Sequence, residues 1–243
     1  MKFLTRAYNL LSVVASLLLA SPDAKAAPPD GTTPFAQENK DSTTMKPTER
    51  PHQAWNFDRD EADRSPSGWS FRQTSPDGVA GIWKIAADPS APSPPNTHRL
   101  QTKATDGTFN LAIVEKSSYQ DLDLRVKVRA DSGVEDQGGG LIWRCKDENN
   151  YYICRFNPLE SNFRVYKVAE GKRQQLASAK IETVTSKWYD VRAVMIGDKI
   201  TCYLDGVALL EASDSTFAQS GMIGLWTKSD ASSSFDDLVV YKK

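Results

Sequence analysis

The 243-residue chain is 40% hydrophobic, 25% charged and 9% aromatic, the balance of a globular protein rather than of a disordered, collagen-like or coiled-coil one. Its 30 basic and 31 acidic side chains leave a formal net charge of -1, without the basic excess of nucleic-acid binders, so no nucleic-acid partner is expected. Two His exclude a His-rich metal site and leave little for a Ser/His/Asp or Cys/His nucleophile, while six Trp and three Cys, an odd number, stand out.

Residues 1–26 place Lys2 and Arg6 before the apolar run Leu10 to Ala20 and the small-x-small sequence Ala24-Lys25-Ala26, the order of a cleavable secretory signal. The run is far shorter than the roughly 20 residues a membrane-spanning helix needs, so no stable membrane insertion is expected. No Cys follows it for lipid attachment. The mature chain is expected to be mildly acidic and secreted or periplasmic. Residues 27–51, rich in Pro, Thr, Ser and charge, bury too little apolar surface to offset the entropy of ordering and read as a disordered spacer. All six Trp lie beyond it, in one domain spanning 52–243.

Tyr119 to Ala130, YQDLDLRVKVRA, alternates Leu122, Leu124, Val126 and Val128 with Asp121, Asp123, Arg125, Lys127 and Arg129. That period of two predicts a half-buried strand with a charged, solvated face. Its Asp121/Asp123 pair is better explained by cross-strand charge pairing than by acid/base chemistry. Further strands are predicted over 140–145, 151–156, 163–168, 188–196, 199–204, 222–227 and 235–241, separated by turn sequences such as Ile196-Gly197-Asp198-Lys199 and Leu204-Asp205-Gly206-Val207. No long stretch has helical periodicity. The pattern implies an all-β, two-sheet antiparallel β-sandwich or jelly roll.

The segment from Gly138, GGGLIWRCKDENNYYICRFNPLESNFRVYKVAEGKR, followed by WYDVRAVMIGDKITCYLDG and GMIGLWTKSDASSSFDDLVVYKK, resembles bacterial concanavalin A-like (laminin G-like) domains. Within them it is most similar to the group named 3-keto-disaccharide hydrolase, also labelled family 16 glycoside hydrolase-like. WNFDRDEADRSPSGWSF and GIWKIAADPSAPSPPN fit the same group, so the likeness runs from about Trp55 to Lys243. The resemblance implies a concanavalin A-like jelly roll whose concave face meets saccharides.

Glycoside hydrolysis normally takes two carboxyl groups about 5 to 10 Å apart. The Glu-x-Asp-x-Glu and Glu-x-Asp-x-x-Glu strands of family 16 are absent from this chain. Cleavage of a 3-keto-disaccharide asks for less, because the ketone acidifies the neighbouring C–H, so one base and one electrophile for the oxyanion can drive elimination before water adds.

A two-residue turn at Asn149-Asn150 would set Arg144 opposite Arg155 and Cys145 opposite Cys154, whereas a four-residue loop would break that register. The two arginines read either as a grip for an acidic sugar or a carbonyl, or as partners of Glu148 or Glu160. Arg164 and Tyr166 share a strand face with Asn162, Tyr151 shares one with Arg155, and Trp226 is expected to point away from the core, opposite Ile223 and Leu225. These are saccharide-contacting candidates, and core packing is the alternative for each aromatic. Asp58 near the domain start and Asp236-Asp237 near its end meet if the terminal strands are adjacent, and Asp58 and Asp237 then offer oxygen ligands for a structural Ca²⁺, the one cofactor considered. Cys145 and Cys154 read either as a cross-strand disulfide that leaves Cys202 unpaired or, with Cys202, as three buried thiols. His52 and His98 read as surface residues. Three functions remain: carbohydrate recognition, hydrolysis of 3-keto-disaccharides or related glycosides, and a non-catalytic adhesive laminin G-like module.

Overall fold

A computed structural model describes residues 50–105 and 107–243; the expected signal segment and nearly all of the spacer lie outside the described residues. The alternation read at 119–130 forms β6, Leu122–Ser132, with Leu122, Leu124, Val126, Val128 and Ala130 buried. It sits within sheet A, ordered β13 (Val207–Ser213), β12 (Lys199–Leu204), β11 (Trp188–Ile196), β6, β15 (Ser232–Lys242), β4 (Asn96–Gln101) and β3 (Ile82–Ala87), with β1 (Gln53–Trp55) also paired to β15. Sheet B is ordered β10 (Lys172–Lys180), β9 (Asn162–Ala169), β8 (Asn150–Asn157), β7 (Gly139–Asp147), β14 (Met222–Lys228), β5 (Phe109–Val114) and β2 (Trp69–Thr74). All paired strands are antiparallel. No described helix is long and apolar enough to cross a membrane.

The inner faces of the two sheets share one core. Trp143 stacks on Tyr152, Phe156 packs on Tyr189 and Trp83 on Phe235, contacts that add shape specificity to area burial. His98 is fully buried rather than at the surface. The rings of Phe57, Trp69, Phe71 and Trp83 surround it at 5.0–5.8 Å, neither ring nitrogen has a hydrogen-bond partner, and burial pushes its pKa down to about 3. A neutral imidazole in an aromatic box serves as a core residue.

The outer face of sheet A is less solvated than its sequence suggests. Arg125 and Arg192 stand directly opposite one another in the β6–β11 register, and Asp123, only 1% exposed, receives two hydrogen bonds from each at 2.8–3.0 Å. Burial alone would raise its carboxyl pKa, but the two guanidinium groups outweigh that and hold it below the ordinary value. Lys127 pairs with Asp190 at 2.8 Å, so cross-strand charge pairing does account for this face.

Sheet B is apolar on both sides. Its inner face carries Leu141, Trp143, Tyr152, Cys154, Phe163, Val165, Ile223 and Leu225 into the shared core. Its outer face buries a second cluster of Phe109, Leu111, Ile113, Ile142, Cys145, Tyr151, Ile153, Tyr166, Val168 and Trp226. The sheet curls over this face. Arg173 on β10 lies 5.0 Å from the Phe109 ring on β5, although five strand spacings of about 4.8 Å would separate those strands by about 24 Å in a flat sheet. A bulge between Trp143 and Asp147, with Arg144 at φ 44°, bends β7. Thr74 Oγ1 then meets the Glu148 carbonyl and the Tyr151 hydroxyl, and the β9–β10 turn follows through Gly171 N–H donating to the Asn149 carbonyl at 3.0 Å. The outer face is therefore concave. Close strand approach also dictates Gly140, where an added Cβ would sit 1.9 Å from the Cys154 carbonyl oxygen.

The same bulge overturns the expected arginine and cysteine pairings. The register sets Gly140 against Arg155 and Leu141 against Cys154, and the two-residue turn is Glu148-Asn149 rather than Asn149-Asn150. Cys145 faces the concave cluster and Cys154 the core, so they lie on opposite faces of sheet B. All three cysteines are free and buried. Burial raises the Cys145 thiol pKa to about 12, far from a reactive thiolate. We expect the unreduced, denatured protein to titrate three thiols per chain with a colorimetric thiol reagent and the native protein to react only as it opens. Two thiols fewer in the denatured chain would establish a disulfide.

Candidate functional site

At one end of the concave face the register aligns Arg155 with Arg164, Phe156 with Phe163 and Asn157 with Asn162. The four-residue connection between β8 and β9 holds Glu160 back over this row. One of its oxygens, Oε2, receives hydrogen bonds from Arg155 Nη2 at 2.9 Å, Asn162 Nδ2 at 2.9 Å and Arg164 Nη1 at 3.3 Å. Arg155 also donates to Asn162 Oδ1 at 2.6 Å, and the Tyr166 hydroxyl accepts from both arginines at 3.3 Å. Partial burial works against the Glu160 anion, but the donors from Asn162 and Arg155 and the charges of Arg155 and Arg164 prevail and hold its pKa at about 2. Its side chain is 41% exposed, so a permanently ionised carboxylate faces solvent from a rigid cradle.

A second carboxyl group lies beside the first. Asn157 donates to Asp136 Oδ1 at 2.6 Å and accepts from the Glu160 N–H at 3.2 Å, coupling the two acids through one fully buried amide. Asp136 follows β6 in a loop whose geometry Asp230 fixes, its carboxylate accepting the N–H groups of Val134, Glu135 and Asp136 at 2.6–3.1 Å. Lys228 at the end of β14 lies 3.1 Å from Asp136 Oδ2. Here burial dominates the charges of Arg155 and Lys228, and the Asp136 pKa is raised. Two neighbouring carboxyls thus have opposite shifts, the condition under which one stays charged while the other exchanges a proton.

Of the candidates read from sequence, Arg155, Asn162, Arg164 and Tyr166 converge here. Tyr151 and Trp226 share the concave face, as expected, but belong to its buried apolar floor, where Trp226 packs 5.3 Å from Phe109. Arg144 does not face Arg155. Its buried guanidinium donates to the carbonyls of Gln120, Phe217 and Gly197 at 2.7–2.9 Å and pairs with Asp121 at 3.2 Å, tying three connections together as a structural cross-link. Asp136, Asn157 and Lys228 escaped the sequence reading. Their one local signal is the acid-then-glycine sequence Glu135-Asp136-Gln137-Gly138-Gly139-Gly140, where missing side chains permit close strand approach.

The acids considered for calcium, Asp58 and Asp237, both lie within electrostatic reach of Asp236. Asp236, buried at a bulge of β15, accepts from the N–H groups of Ser93 and Asp237 at 2.8 Å each, and Asp58 Oδ1 is a buried acceptor without a partner. Burial, with the charges of Asp237 and Asp58 adding to it, lifts the Asp236 pKa to about 7. Carboxylates that repel one another around an orphaned oxygen fit a hard cation. Among the described residues no three His, Cys, Asp or Glu side chains form a metal cage.

The levanase of Bacillus subtilis (strain 168) is 25% identical over 114 residues, which are 46% of this chain but only 17% of that protein. The carbohydrate-binding module CBM66 from Bacillus subtilis superposes with a TM-score of 0.57 at 21% identity, covering 75% of this chain and 99% of the module. The cellulose-induced protein Cip1 does so with a TM-score of 0.60 at 11% identity, covering 79% and 97%. At these identities the two structures establish the fold, a two-sheet jelly-roll sandwich. A sequence profile matches from residue 51 to residue 241, across both sheets and every residue of the polar cluster, and by it the chain belongs to the 3-keto-alpha-glucoside-1,2-lyase-like domain family.

Proposed function

We propose that the concave face of sheet B binds a saccharide at the cluster of Arg155, Glu160, Asn162, Arg164 and Tyr166. The observation that carries this reading is the Glu160 carboxylate, which stays ionised, partly exposed and immobilised by donors from three side chains. Sugar hydroxyls are recognised by such fixed acceptors and planar donors. A relative named as a carbohydrate-binding module and another named as a levanase are in keeping with it. The Lys2/Arg6 segment with its apolar run and small-x-small site supports action outside the cytoplasm, in a secreted or periplasmic setting.

The Asp136–Arg155–Lys228 group supports a second reading, eliminative cleavage of a 3-keto-glycoside. Asp136 as carboxylate would take the proton from the carbon beside the ketone. The electron pair moves onto the ketone oxygen, where Arg155 or Lys228 stabilises the enolate. Collapse of the enolate breaks the bond to the glycosidic oxygen, and Asp136 returns the proton to that oxygen. Water adding across the new double bond would make the outcome hydrolysis. A raised carboxyl pKa suits this proton shuttle, whereas Glu160, held at about 2, is too weak a base and serves to orient the cations.

For the structural cation we propose Ca²⁺ held by Asp58 and Asp237 with Asp236 beside them, joining the first turn of the sandwich to its last strand.

On a glycan array and by calorimetry, Glu160→Gln and Arg164→Ala should each weaken saccharide binding about tenfold, the size of one charged hydrogen bond, with little change in melting temperature; unchanged affinity for both would remove the cluster from recognition. If the lyase reading holds, Asp136→Asn lowers turnover of a 3-keto-disaccharide by about 10²–10⁴-fold while leaving its KM near the original, and the absence of turnover by the unmodified protein would leave recognition alone. The folded Asp236 pKa of about 7 exceeds its ordinary 3.8. Between those values the unfolded chain is ionised where the folded one is protonated, so this group's stabilisation is complete below about pH 4 and lost as pH rises through 7. Ca²⁺ at a hundredfold excess over its Kd should therefore raise the melting temperature by about 5–10 °C at pH 7.5 and by less at pH 5, and Asp58→Asn should abolish the effect. Identical melts in EDTA and in calcium would dismiss the site.

A further inference from the structure

Every strand arginine but one is within ion-pair distance of a carboxylate: Arg72 with Glu148, Arg99 and Arg129 with Asp88, Arg125 and Arg192 with Asp123, Arg144 with Asp121, and Arg155 and Arg164 with Glu160. The exception is Arg173 on β10. Its guanidinium packs against two rings of the concave face, 4.6 Å from the centroid of Tyr166 and 5.0 Å from that of Phe109. Ring packing of this kind engages the flat surface of a guanidinium and leaves its N–H edge for an in-plane acceptor. Arg173 Nη1 is buried without a hydrogen-bond partner, and no carboxylate among the described residues pairs with it.

A second unmet donor lies on the other side of Tyr166. Arg155 Nε is also buried without a partner, and Arg155 lies 5.8 Å from the same ring. Within a chain of net charge -1, this face gathers Arg155, Arg164, Arg173 and Lys228 against Glu160 and Asp136. Glu160 is already engaged by two of those arginines, and Lys228 stands beside Asp136. The cation left over is Arg173, half-buried against two aromatic rings.

We propose that the saccharide bound on this face carries a carboxylate, as a uronic acid unit, and that Arg173 receives it through the edge of its guanidinium. The proposal rests on the saccharide-binding reading above and adds the chemical class of the ligand. A planar carboxylate matches two parallel N–H donors of one guanidinium, which a hydroxyl cannot do. The two ring contacts hold the arginine in place before the ligand arrives, so little side-chain entropy is lost on binding.

The test is calorimetric, using the full chain with trigalacturonate and the same trisaccharide as its methyl ester, which keeps shape and hydroxyls but removes charge. The acid should bind at least tenfold more tightly than the ester at 50 mM salt, with the gap narrowing at 500 mM. Arg173→Gln should bring the acid down to the affinity of the ester and leave the ester unchanged, and Arg173→Lys should restore only part of the gap. Equal affinity of acid and ester for the unmodified protein would overturn the proposal while leaving saccharide recognition intact. Binding of neither compound, with a neutral saccharide bound on the glycan array, would overturn it in the same way, and no binding to any saccharide would end both readings. The acid-against-ester comparison needs no variant, so a misfolded Arg173→Gln protein would not shield the proposal.

Discussion

Sheet B carries large apolar side chains on both of its faces, so it has to be covered twice. Sheet A covers one face in the ordinary manner of a sandwich. The sheet's own curl serves the other, with the bulge at 143–147 and the β7–β8 and β9–β10 turns bringing distant strands within reach of each other. Burying a side chain such as Leu111, Ile142 or Ile153 is worth about 1.5–3 kcal/mol, so the second cluster is a major reason for the curl. Part of the candidate site depends on it. Arg155, Arg164, Tyr166 and Arg173 come from three adjacent strands, and on a flat sheet the partner ring of Arg173 would be out of reach.

The apolar floor also sets the electrostatics above it. A charge beside side chains that exclude water is poorly screened, so interactions that would be worth little in solvent decide protonation here. Glu160, with solvent on one side and three donors on the other, ionises readily. Asp136, buried beside Asn157, has its pKa raised although two cations stand near it. Two carboxyl groups joined through one amide are thereby made different, one by the donors gathered on it and the other by burial.

The sequence makes the fold legible where alternation is strict. The strands at 188–196 and 199–204 emerge with the expected bounds, and β6 is displaced by two or three residues because its first residues form an approach rather than a ladder. Among the strands before residue 119, β4 and β5 are harder to read because they are buried across most of their length. β5 shows six consecutive buried residues and no period of two, as expected of a strand covered on both faces. The site is legible in part for a related reason. Arg155, Asn162, Arg164 and Tyr166 are linked by local strand spacing, which a sequence displays. Asp136 and Lys228 reach them across the sheet, and the bulge that separates Arg144 from Arg155 leaves no mark except a residue adopting positive φ. His98, too, lies in a polar, proline-rich neighbourhood of the chain and yet sits at the centre of an aromatic box assembled from two other strands and a loop.

The path of β15 has a bearing on how the domain is presented. Its first residue pairs with Ser132, next to the loop that carries Asp136, and Val240 near its other end pairs with Gln53. Eight residues at about 3.3 Å each separate the two points by about 26 Å. The polypeptide enters the sandwich at β1 and the carboxyl cluster lies at the far end of the same strand. The point where the chain joins the sandwich and the carboxyl cluster are therefore separated by nearly the whole length of β15, so changes made at one need not disturb the other.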